Sequence, residues 1–355
     1  MMKDLQTIFT NEQTQRLLSW FWENKRALPW RTTKDPYRIW LSEIMLQQTR
    51  VEAVKPYYER FLAVCPSIFD LAELDEGRLM KLWEGLGYYS RARNLQKAAR
   101  EVVSLWDGRM PRDYASLLKL SGIGEYTAGA IASIAYDARV PAVDGNVLRV
   151  LSRLSGSDAD IADPTTKKNY REALLPLIPA DAGDFNQALI ELGATVCVPN
   201  GEARCAICPM KEVCVAAREG LTDILPVRAA KRPRRIEEMT VLIIRDGNRT
   251  VLRKRSPKGL LAGLYELPNV NRWIDEKELP KLIRSMGFDP LRVERLEDAK
   301  HIFTHVEWHM QAYAVTVTPE FDGKKGTPDL LLVQNKTIHR DYAIPSAFSA
   351  YTKYL

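Results

Sequence analysis

The residue pattern of this chain changes near position 220, and that change limits the fold more than any other feature. From residue 11 to about 218 the chain consists of short amphipathic segments separated by Pro, Gly and Asp, with no strand-like alternation. Beyond it, Met239 to Arg245 and Arg249 to Lys254 are β-branched runs around the turn Asp246-Gly247-Asn248. The pattern therefore predicts an all-α domain followed by an α+β domain.

A basic stretch with a proline separates the two patterns and predicts a linker. Its five cationic residues are Arg228, Lys231, Arg232, Arg234 and Arg235. The predicted boundaries are 1–218 for the all-α domain, 219–238 for the linker and 239–355 for the α+β domain.

Helices in the first domain are predicted from apolar spacing and from capping residues such as Asp35 before Pro36. They run from Asp35 to Gln48, Lys55 to Val64, Glu76 to Glu84, Ser90 to Leu105, Tyr114 to Lys119, Thr127 to Tyr136, Gly145 to Leu154, Thr166 to Ile178 and Phe185 to Thr195. In the second domain a helix is predicted from Glu276 to Met286 and a strand from His309 to Thr318.

Composition excludes several classes of protein. The chain is 46% hydrophobic with 8 Trp, 14 Tyr and 9 Phe, which excludes intrinsic disorder. No apolar stretch reaches about 18 residues, so no membrane helix is expected, and the polar start argues against a signal peptide. Five Cys argue against a disulfide framework, so we expect a cytosolic protein. The net charge of +6 divides into −1 for residues 1–226 and +7 for the remainder.

Four cysteines form the clearest candidate for a metal site. Cys197, Cys205, Cys208 and Cys214 are spaced C-x7-C-x2-C-x5-C. Thiolates this close together in a reducing compartment suit either zinc or an iron-sulfur cluster, and the spacing leaves both open. The fifth, Cys65, lies in an apolar stretch and is expected in the core.

A glycine turn precedes a candidate catalytic aspartate. Gly122 and Gly124 lie in Leu120-Ser121-Gly122-Ile123-Gly124, between two predicted helices. Such a turn points backbone N–H groups at a helix N-terminus, where a DNA phosphate binds; a plain helix–helix turn is the alternative. Asp144 begins another helix, either as a simple N-cap or as an active-site carboxylate.

Glu43 is the second candidate carboxylate. It lies among apolar residues in Trp40-Leu41-Ser42-Glu43-Ile44-Met45, so its pKa should be raised as a general acid requires. Asp144, at a helix N-terminus, should stay ionised. Two carboxylates with pKa values pushed apart form the acid and anion pair of glycosidic cleavage; a solvated helix face is the alternative for Glu43.

Together these motifs resemble the helix-hairpin-helix-Gly-Pro-Asp superfamily of DNA glycosylases, and MutY-type adenine DNA glycosylases in particular. The segments that carry the closer resemblance are Leu28-Pro29-Trp30-Arg31, the Glu43 helix, Trp83 to Arg91 and Phe185 to Gly193. The resemblance implies that the four cysteines hold a [4Fe-4S] cluster. Two positions depart from the family pattern: seven residues instead of six follow Cys197, and Ser121 replaces a proline.

The resemblance also implies roles for individual residues. Glu43 would protonate adenine N7, and Asp144, oriented by Asn146, would stabilise the oxocarbenium ion. Tyr126 occupies the position where lyase-active relatives carry a Schiff-base lysine, which implies a monofunctional glycosylase. Trp30, Arg31 and Gln187 would line the adenine pocket with Tyr126 beside the carboxylates, and Gln48 and Tyr88 would fill the gap in the base stack.

The second domain resembles a Nudix fold. Gly259 to Pro268 matches its strand-and-loop entry, but Glu276 to Gly287 lacks the acidic array that a pyrophosphatase uses to hold metal. The resemblance thus implies a recognition module for 8-oxoguanine, read by Phe303, Thr304 and His305, with Thr304 in place of the family's serine.

The sequence therefore predicts a monomeric enzyme that removes adenine mispaired with 8-oxoguanine or guanine from double-stranded DNA, without a membrane partner. Three alternatives remain: a pyrimidine-specific glycosylase of the same fold, a non-catalytic iron-sulfur DNA-binding protein, and a Nudix hydrolase. Tyr126, Glu43 and the Phe-Thr-His loop argue against the first, and the missing metal helix argues against the last.

Overall fold

The computed structural model describes residues 4–229, 233–318 and 329–355. The chain forms two compact units, one built from Met1–Glu73 and Asn94–Ala230, the other from Leu74–Arg93 and Lys231–Leu355. This division differs from the predicted boundaries, because the stretch 74–93 groups with the C-terminal unit. The predicted linker differs too, because a strand already begins at Arg235, while Lys231 and Arg232 lie outside the described residues.

Thirteen α-helices precede the first strand in the described residues. They are α1 Leu5–Ile8, α2 Asn11–Asn24, α3 Pro36–Leu46, α4 Val51–Val64, α5 Ile68–Glu73, α6 Glu76–Leu82, α7 Ser90–Trp106, α8 Tyr114–Leu117, α9 Glu125–Tyr136, α10 Gly145–Ser155, α11 Pro164–Leu174, α12 Ala182–Thr195 and α13 Val215–Glu219. Short 3-10 helices lie at Pro29–Arg31, Leu175–Leu177, Cys205–Ile207 and Lys211–Val213. The described part of the first unit contains no strand, as the helical pattern predicts.

Local sequence explains where these helices begin. Asp35 accepts a hydrogen bond from the N–H of Tyr37 at 2.9 Å and caps α3, with Pro36 in its first turn. The predicted start of α4 at Lys55 is four residues late, because Pro56 lies inside the helix and not in its first turn. Helices α1, α5 and α13 are short and were not predicted individually.

One hydrophobic core cluster of the first unit lies between α2, α10 and α12. Phe21 of α2, Leu151 of α10 and Phe185 of α12 are fully buried there. Cys65 is also fully buried, as predicted. This packing positions α12, which carries Gln187, and α10, which begins directly after Asp144.

The second unit contains a mixed sheet. Its strands are β1 Arg235–Asp246, β2 Arg249–Lys254, β3 Tyr265–Glu266, β4 Asn269–Val270, β5 Pro290–Arg295, β6 Ala299–Ile302, β7 Val306–Val317 and β8 Leu330–Gln334. The main order is β3-β2-β1-β7-β5; β4 pairs with β1, β6 with β7 and β8 with β2. Only β1 and β7 are parallel among these pairs, in register from Arg235 opposite Val306 to Arg245 opposite Thr316.

The central strand β1 is buried on both faces. Val241 and Ile243 pack on one side, and Leu242 and Ile244 pack on the other, toward helix α14 (Leu279–Ser285). Helix α15 (Asn335–Asp341) covers the first face with Ile338. The predicted helix from Glu276 to Met286 is thus a 3-10 turn, Glu276–Glu278, followed by α14.

The stretch 74–93 is held within the second unit by polar contacts. The Nζ of Lys81 donates to the carbonyl of Tyr342 at 3.2 Å, and Glu84 Oε1 accepts from the N–H of Ile344 at 2.8 Å. Arg93 donates to the carbonyl of Ala262. Across the described ranges, every helix falls short of the length or apolarity that a bilayer crossing requires.

Candidate active site

A pocket in the first unit brings together residues from four separate elements. Trp30 and Arg31 come from the 3-10 helix Pro29–Arg31, Glu43 from α3, Tyr126 from α9 and Gln187 from α12. The space among these residues amounts to about 540 Å³, part of which is open to solvent. The structure thus gathers around Glu43 all of the residues that were predicted to line the base pocket.

Glu43 is buried, with 8% of its surface exposed. The O–H of Tyr126 donates to its Oε2 at 2.6 Å. Burial raises the pKa of Glu43 to about 7, with a further contribution from the charge of Asp144, against the opposing effects of Tyr126 and Arg31. A carboxylic acid with such a pKa exchanges its proton near neutral pH, as a general acid must.

Asp144 caps helix α10. Its Oδ1 accepts from the N–H of Val147 at 2.8 Å, and its Oδ2 accepts from Nδ2 of Asn146 at 2.7 Å. Burial nevertheless raises the pKa of Asp144, because it outweighs these bonds, which favour the charged form. The sequence predicts that Asp144 stays ionised because it lies at a helix N-terminus. The structure adds that burial raises the pKa of both carboxyl groups.

Asn146 is itself held from behind by Arg149. The Nη2 of Arg149 donates to Oδ1 of Asn146 at 2.9 Å, and its Nε donates to the carbonyl of Cys197 at 2.8 Å. Because an amide that donates to Asp144 and accepts from Arg149 has one preferred orientation, Asn146 presents its N–H₂ group to the carboxylate. Sequence reasoning missed Arg149, although it lies three residues after Asn146, on the same helical face.

Arg31 is bound to a carboxylate that was also missed. Glu191 of α12 accepts from Nη2 of Arg31 at 2.8 Å and from Nε and Nη2 of Arg26 at 2.7 and 2.8 Å. Its side chain is fully buried. Burial alone would raise its pKa, but the two guanidinium groups lower it to about 2. In the sequence, Glu191 could have been recognised as an acidic residue in the apolar part of α12, four positions after Gln187.

The four clustered cysteines line a single cavity of about 390 Å³. The Nη1 of Arg153 donates to Sγ of Cys197 at 3.3 Å, and no disulfide links any of the five cysteines. Burial raises the pKa of Cys208 to about 12 and also raises that of Cys214. Four sulfur donors around one cavity fit a thiolate-bound group in their chemistry. In the described residues, however, no set of three or more His, Cys, Asp or Glu is arranged to hold a metal ion.

The glycine turn leads directly into α9. Gly122 has φ 75°, in the left-handed region, and a Cβ there would lie 2.6 Å from Cβ of Asn94. Gly124 is the N-cap of α9 and supplies no side-chain cap. At Ser121, both the N–H and the O–H donate to Glu101, at 2.8 and 2.6 Å. These bonds fix the turn where the family's proline is missing.

Gln48 and Tyr88 share an unusual backbone conformation. Both have positive φ, 59° and 46°, and both side chains are exposed, that of Tyr88 by 46%. Left-handed φ in residues other than glycine costs of the order of 1–2 kcal/mol and is concentrated at functional sites.

The predicted recognition residues lie in the turn between β6 and β7 of the second unit. Thr304 and His305 are exposed, and Phe303 packs edge-on against Trp308 at 4.8 Å between ring centroids. The hydroxyls of Thr304 and Tyr88 are hydrogen bonded at 2.7 Å. The structure therefore brings together one predicted stacking residue and one predicted lesion-reading residue.

Known protein families match both units. Residues 41–179 match the HhH-GPD superfamily of base excision DNA repair proteins, and residues 239–354 match the NUDIX domain family. An adenine DNA glycosylase of Mus musculus is 37% identical over 360 residues, which is 85% of this chain and 70% of the mouse protein. The chain belongs to the adenine DNA glycosylase family.

Other members of the adenine DNA glycosylase family match over a similar or a larger share of the chain. The Arabidopsis thaliana protein is 36% identical over 94% of this chain, and one from Buchnera aphidicola subsp. Baizongia pistaciae is 33% identical over 82%. The chain spans 61% of the length of the Arabidopsis protein. The predicted family is thus confirmed.

Solved structures share the fold of the helical unit. A thermostable thymine-DNA glycosylase superposes with a TM-score of 0.54 at 28% identity, covering 59% of this chain and 98% of its own. An endonuclease III trapped as a covalent intermediate with DNA gives 0.52 at 22% identity, covering 62% and 100%. The predicted fold class, a helical helix-hairpin-helix glycosylase domain followed by a Nudix-like domain, is confirmed.

Proposed function

We propose that this protein is a monofunctional glycosylase that removes adenine mispaired with 8-oxoguanine or guanine in double-stranded DNA and leaves an abasic site. The observation that carries the proposal is the buried Glu43, with a pKa of about 7, in a pocket lined by Trp30, Arg31, Tyr126 and Gln187. Membership of the adenine DNA glycosylase family supports adenine over the pyrimidine alternative.

The chemistry follows from the two carboxylates. Glu43 gives its proton to adenine N7, the bond from adenine to C1′ breaks, and adenine departs with the bonding electron pair. The ionised Asp144 stabilises the oxocarbenium ion that remains. Water then adds to C1′ and gives up a proton, which returns the ionised Glu43 to its protonated form. The bond from Asn146 to Asp144 supports this role, because it favours the charged form and fixes its direction.

Tyr126 supports hydrolysis without strand cleavage. Its phenol donates to Glu43 and carries no amine that could form a Schiff base with the sugar. Strand breakage should therefore follow only when alkali is added.

The remaining predicted residues complete the proposal. Gln48 and Tyr88 insert into the base stack, Phe303, Thr304 and His305 read 8-oxoguanine, and the turn of Gly122 and Gly124 binds a phosphate. The exposure of Gln48, Tyr88, Thr304 and His305 supports these roles, because residues that contact DNA must be accessible.

Cys197, Cys205, Cys208 and Cys214 would hold a [4Fe-4S] cluster. When bound, the cluster ties residues 197–214 into one loop and adds about two negative charges together with its four thiolates. Arg153, which donates to Cys197, would help to offset that charge. The proposal also includes a location in the bacterial cytosol, where cysteine thiolates stay reduced, and a monomeric enzyme.

Single-turnover release of adenine from a duplex with A opposite 8-oxoguanine tests the function, read with and without alkali. Adenine release with alkali-dependent strand breakage is expected. No release, or release of a damaged pyrimidine instead, would overturn the proposal. For the cofactor, a brown protein with stoichiometric iron is expected, and a colourless protein with one zinc would contradict it.

A further inference from the structure

Two cations in the wall of the base pocket share one buried anion. Arg26 and Arg31 both line the pocket beside Glu43, and Glu191 accepts hydrogen bonds from both guanidinium groups. The backbone N–H of Arg26 adds a further bond to Glu191 at 3.1 Å. The carboxylate therefore has four donors, which is close to its full capacity.

The position of Glu191 explains how the wall is built. It lies one helical turn after Gln187 on α12, so Gln187 faces the pocket while Glu191 lies behind the two arginines. Arg31 also donates to the carbonyl of Arg26 at 3.1 Å. Its guanidinium is thus fixed by two acceptors, and its side chain is only 11% exposed.

Without Glu191, the positive charge of Arg31 would act on Glu43 without the carboxylate that now pairs with it. A nearby cation favours the ionised form of a carboxylic acid, and the effect is strong where water is excluded. An ionised Glu43 has no proton to give to a leaving base. The arginine side chains give the pocket its shape and its hydrogen bonds, but their positive charge must not be strong enough at Glu43 to ionise it.

We propose that Glu191 is a positioning residue for base excision: it holds Arg31 in the pocket wall and balances its charge, so that Glu43 keeps its proton until the glycosidic bond breaks. This inference rests on the function proposed above and adds to it a residue that touches neither the base nor the sugar.

The charged and titratable groups that act on Glu43 come from three elements. They are Tyr126 of α9, Asp144 at the start of α10 and Arg31 of the 3-10 helix. Arg31 lowers the pKa of Glu43, and of these three groups it is the one that Glu191 contacts. On the other side, Glu52 of α4 acts on Arg26. Glu191 thus reaches Glu43 through Arg31.

The test is the pH–rate profile of single-turnover adenine release from the A:8-oxoguanine duplex, measured from about pH 5 to about pH 9 around the expected pKa of the acid. In Glu191→Gln the alkaline midpoint should fall by a few tenths of a unit to about 1 unit, less than the roughly 1–3 units that a charge in direct contact produces. Glu191→Asp, which keeps the charge, should leave the midpoint in place even if the rate declines.

Arg31→Gln supplies a second, opposite measurement. Removal of the cation in Arg31→Gln should raise the alkaline midpoint, whatever its effect on the rate. In the double variant, Glu191→Gln should shift the midpoint less than it does as a single change in the wild-type protein. This variant keeps the inference testable if Glu191→Gln fails to fold. Glu172→Gln removes an exposed carboxylate of α11 that pairs with Lys168, and it should match the wild type.

The outcomes separate the two proposals. If the wild-type protein releases no adenine, the proposed function fails. If it releases adenine but Glu191→Gln and Arg31→Gln leave the midpoint unchanged or move it in the same direction, the inference about Glu191 is wrong and the function stands.

Discussion

The base pocket of the first unit and the Tyr88–Thr304 surface of the second unit are built in opposite ways. In the pocket, Glu43 and Glu191 are buried and each is hydrogen bonded. At the surface, Tyr88 and Thr304 are exposed and bonded to each other, and Tyr88 has a left-handed backbone. The difference agrees with the roles proposed above for the two sites.

A reacting group must be in place before the reaction, because reorganisation during bond breaking raises the barrier. Burial supplies that order and shifts the pKa of Glu43 at the same time. A residue that inserts between bases must be accessible to the duplex, so its side chain remains exposed. For Tyr88, part of the fixed geometry comes instead from the left-handed backbone. Changes in the pocket should therefore alter the rate of excision, whereas changes at the surface should alter the choice of substrate.

The largest effect is expected for Glu43→Gln. Loss of the general acid should slow adenine release by about 10²–10⁴-fold. The wild-type rate should fall as pH rises through about 7, because the protonated form of Glu43 is the active one, and this dependence should vanish in the variant. The measurement is single-turnover release across pH; a variant that keeps the alkaline decline would assign that decline to another group.

Asp144→Asn should follow, with a loss of about 10²–10³-fold, as for removal of one electrostatic stabiliser. Duplex binding should persist, because the amide can still accept from the N–H of Val147 and cap α10. Release and affinity are to be measured on the same preparation. An equal loss of both would assign Asp144 to a structural cap.

The pocket should also make the fold sensitive to acid. Because the arginines depress the pKa of Glu191 to about 2, its contribution to stability is fully present above its ordinary value of 4.5 and is lost as pH falls toward 2. The loss should be about 3 kcal/mol in the free energy of unfolding. Urea titrations at several pH values test it, with Glu191→Gln as the variant that should lack this acid limb.

Thr304→Val tests the surface. Removal of the hydroxyl breaks the bond to Tyr88, worth about 0.5–1.5 kcal/mol, and should lower the preference for A:8-oxoguanine over A:G by about 2–10-fold. The rate on A:G should change little. Thr304→Ser keeps the hydroxyl and should behave as the wild type. A wild-type preference in Thr304→Val together with a loss in Thr304→Ser would point to the methyl group and not to the hydrogen bond.

The smallest effect is expected for Gln48→Gly. Glycine adopts positive φ without strain, so stability should be unchanged or rise by up to about 1 kcal/mol, while excision from the duplex declines because the inserted side chain is gone. Chemical denaturation measures the stability of the variant, and single-turnover rates measure its excision from the duplex. A stability loss above about 1 kcal/mol would show that the Gln48 side chain supports the fold.

The sequence predicts most of the helices and the burial of Glu43 because the signals for them are local. Asp35 and Pro36 mark the start of α3, and the apolar residues around Glu43 predict its burial and the direction of its pKa. The upward shift in the pKa of Asp144 is not predicted, because its burial depends on residues that are distant in the sequence and not on the cap itself.

The supporting residues are not predicted, because their partners are far apart in the chain. Glu191 contacts Arg31 across 160 positions, and Glu101 contacts Ser121 from another helix. A single sequence does not show which charged side chain folds behind a pocket. The same limit explains why residues 74–93 were assigned to the first domain.

That stretch has a consequence for any attempt to divide the protein. A fragment that ends at Ala229 would retain the pocket and all four clustered cysteines, but Lys81 and Glu84 would lose Tyr342 and Ile344. A fragment that begins at Pro233 would lack the segment that supplies these contacts. Truncation in the linker therefore cuts one compact unit in two, and neither half inherits Tyr88 together with Thr304.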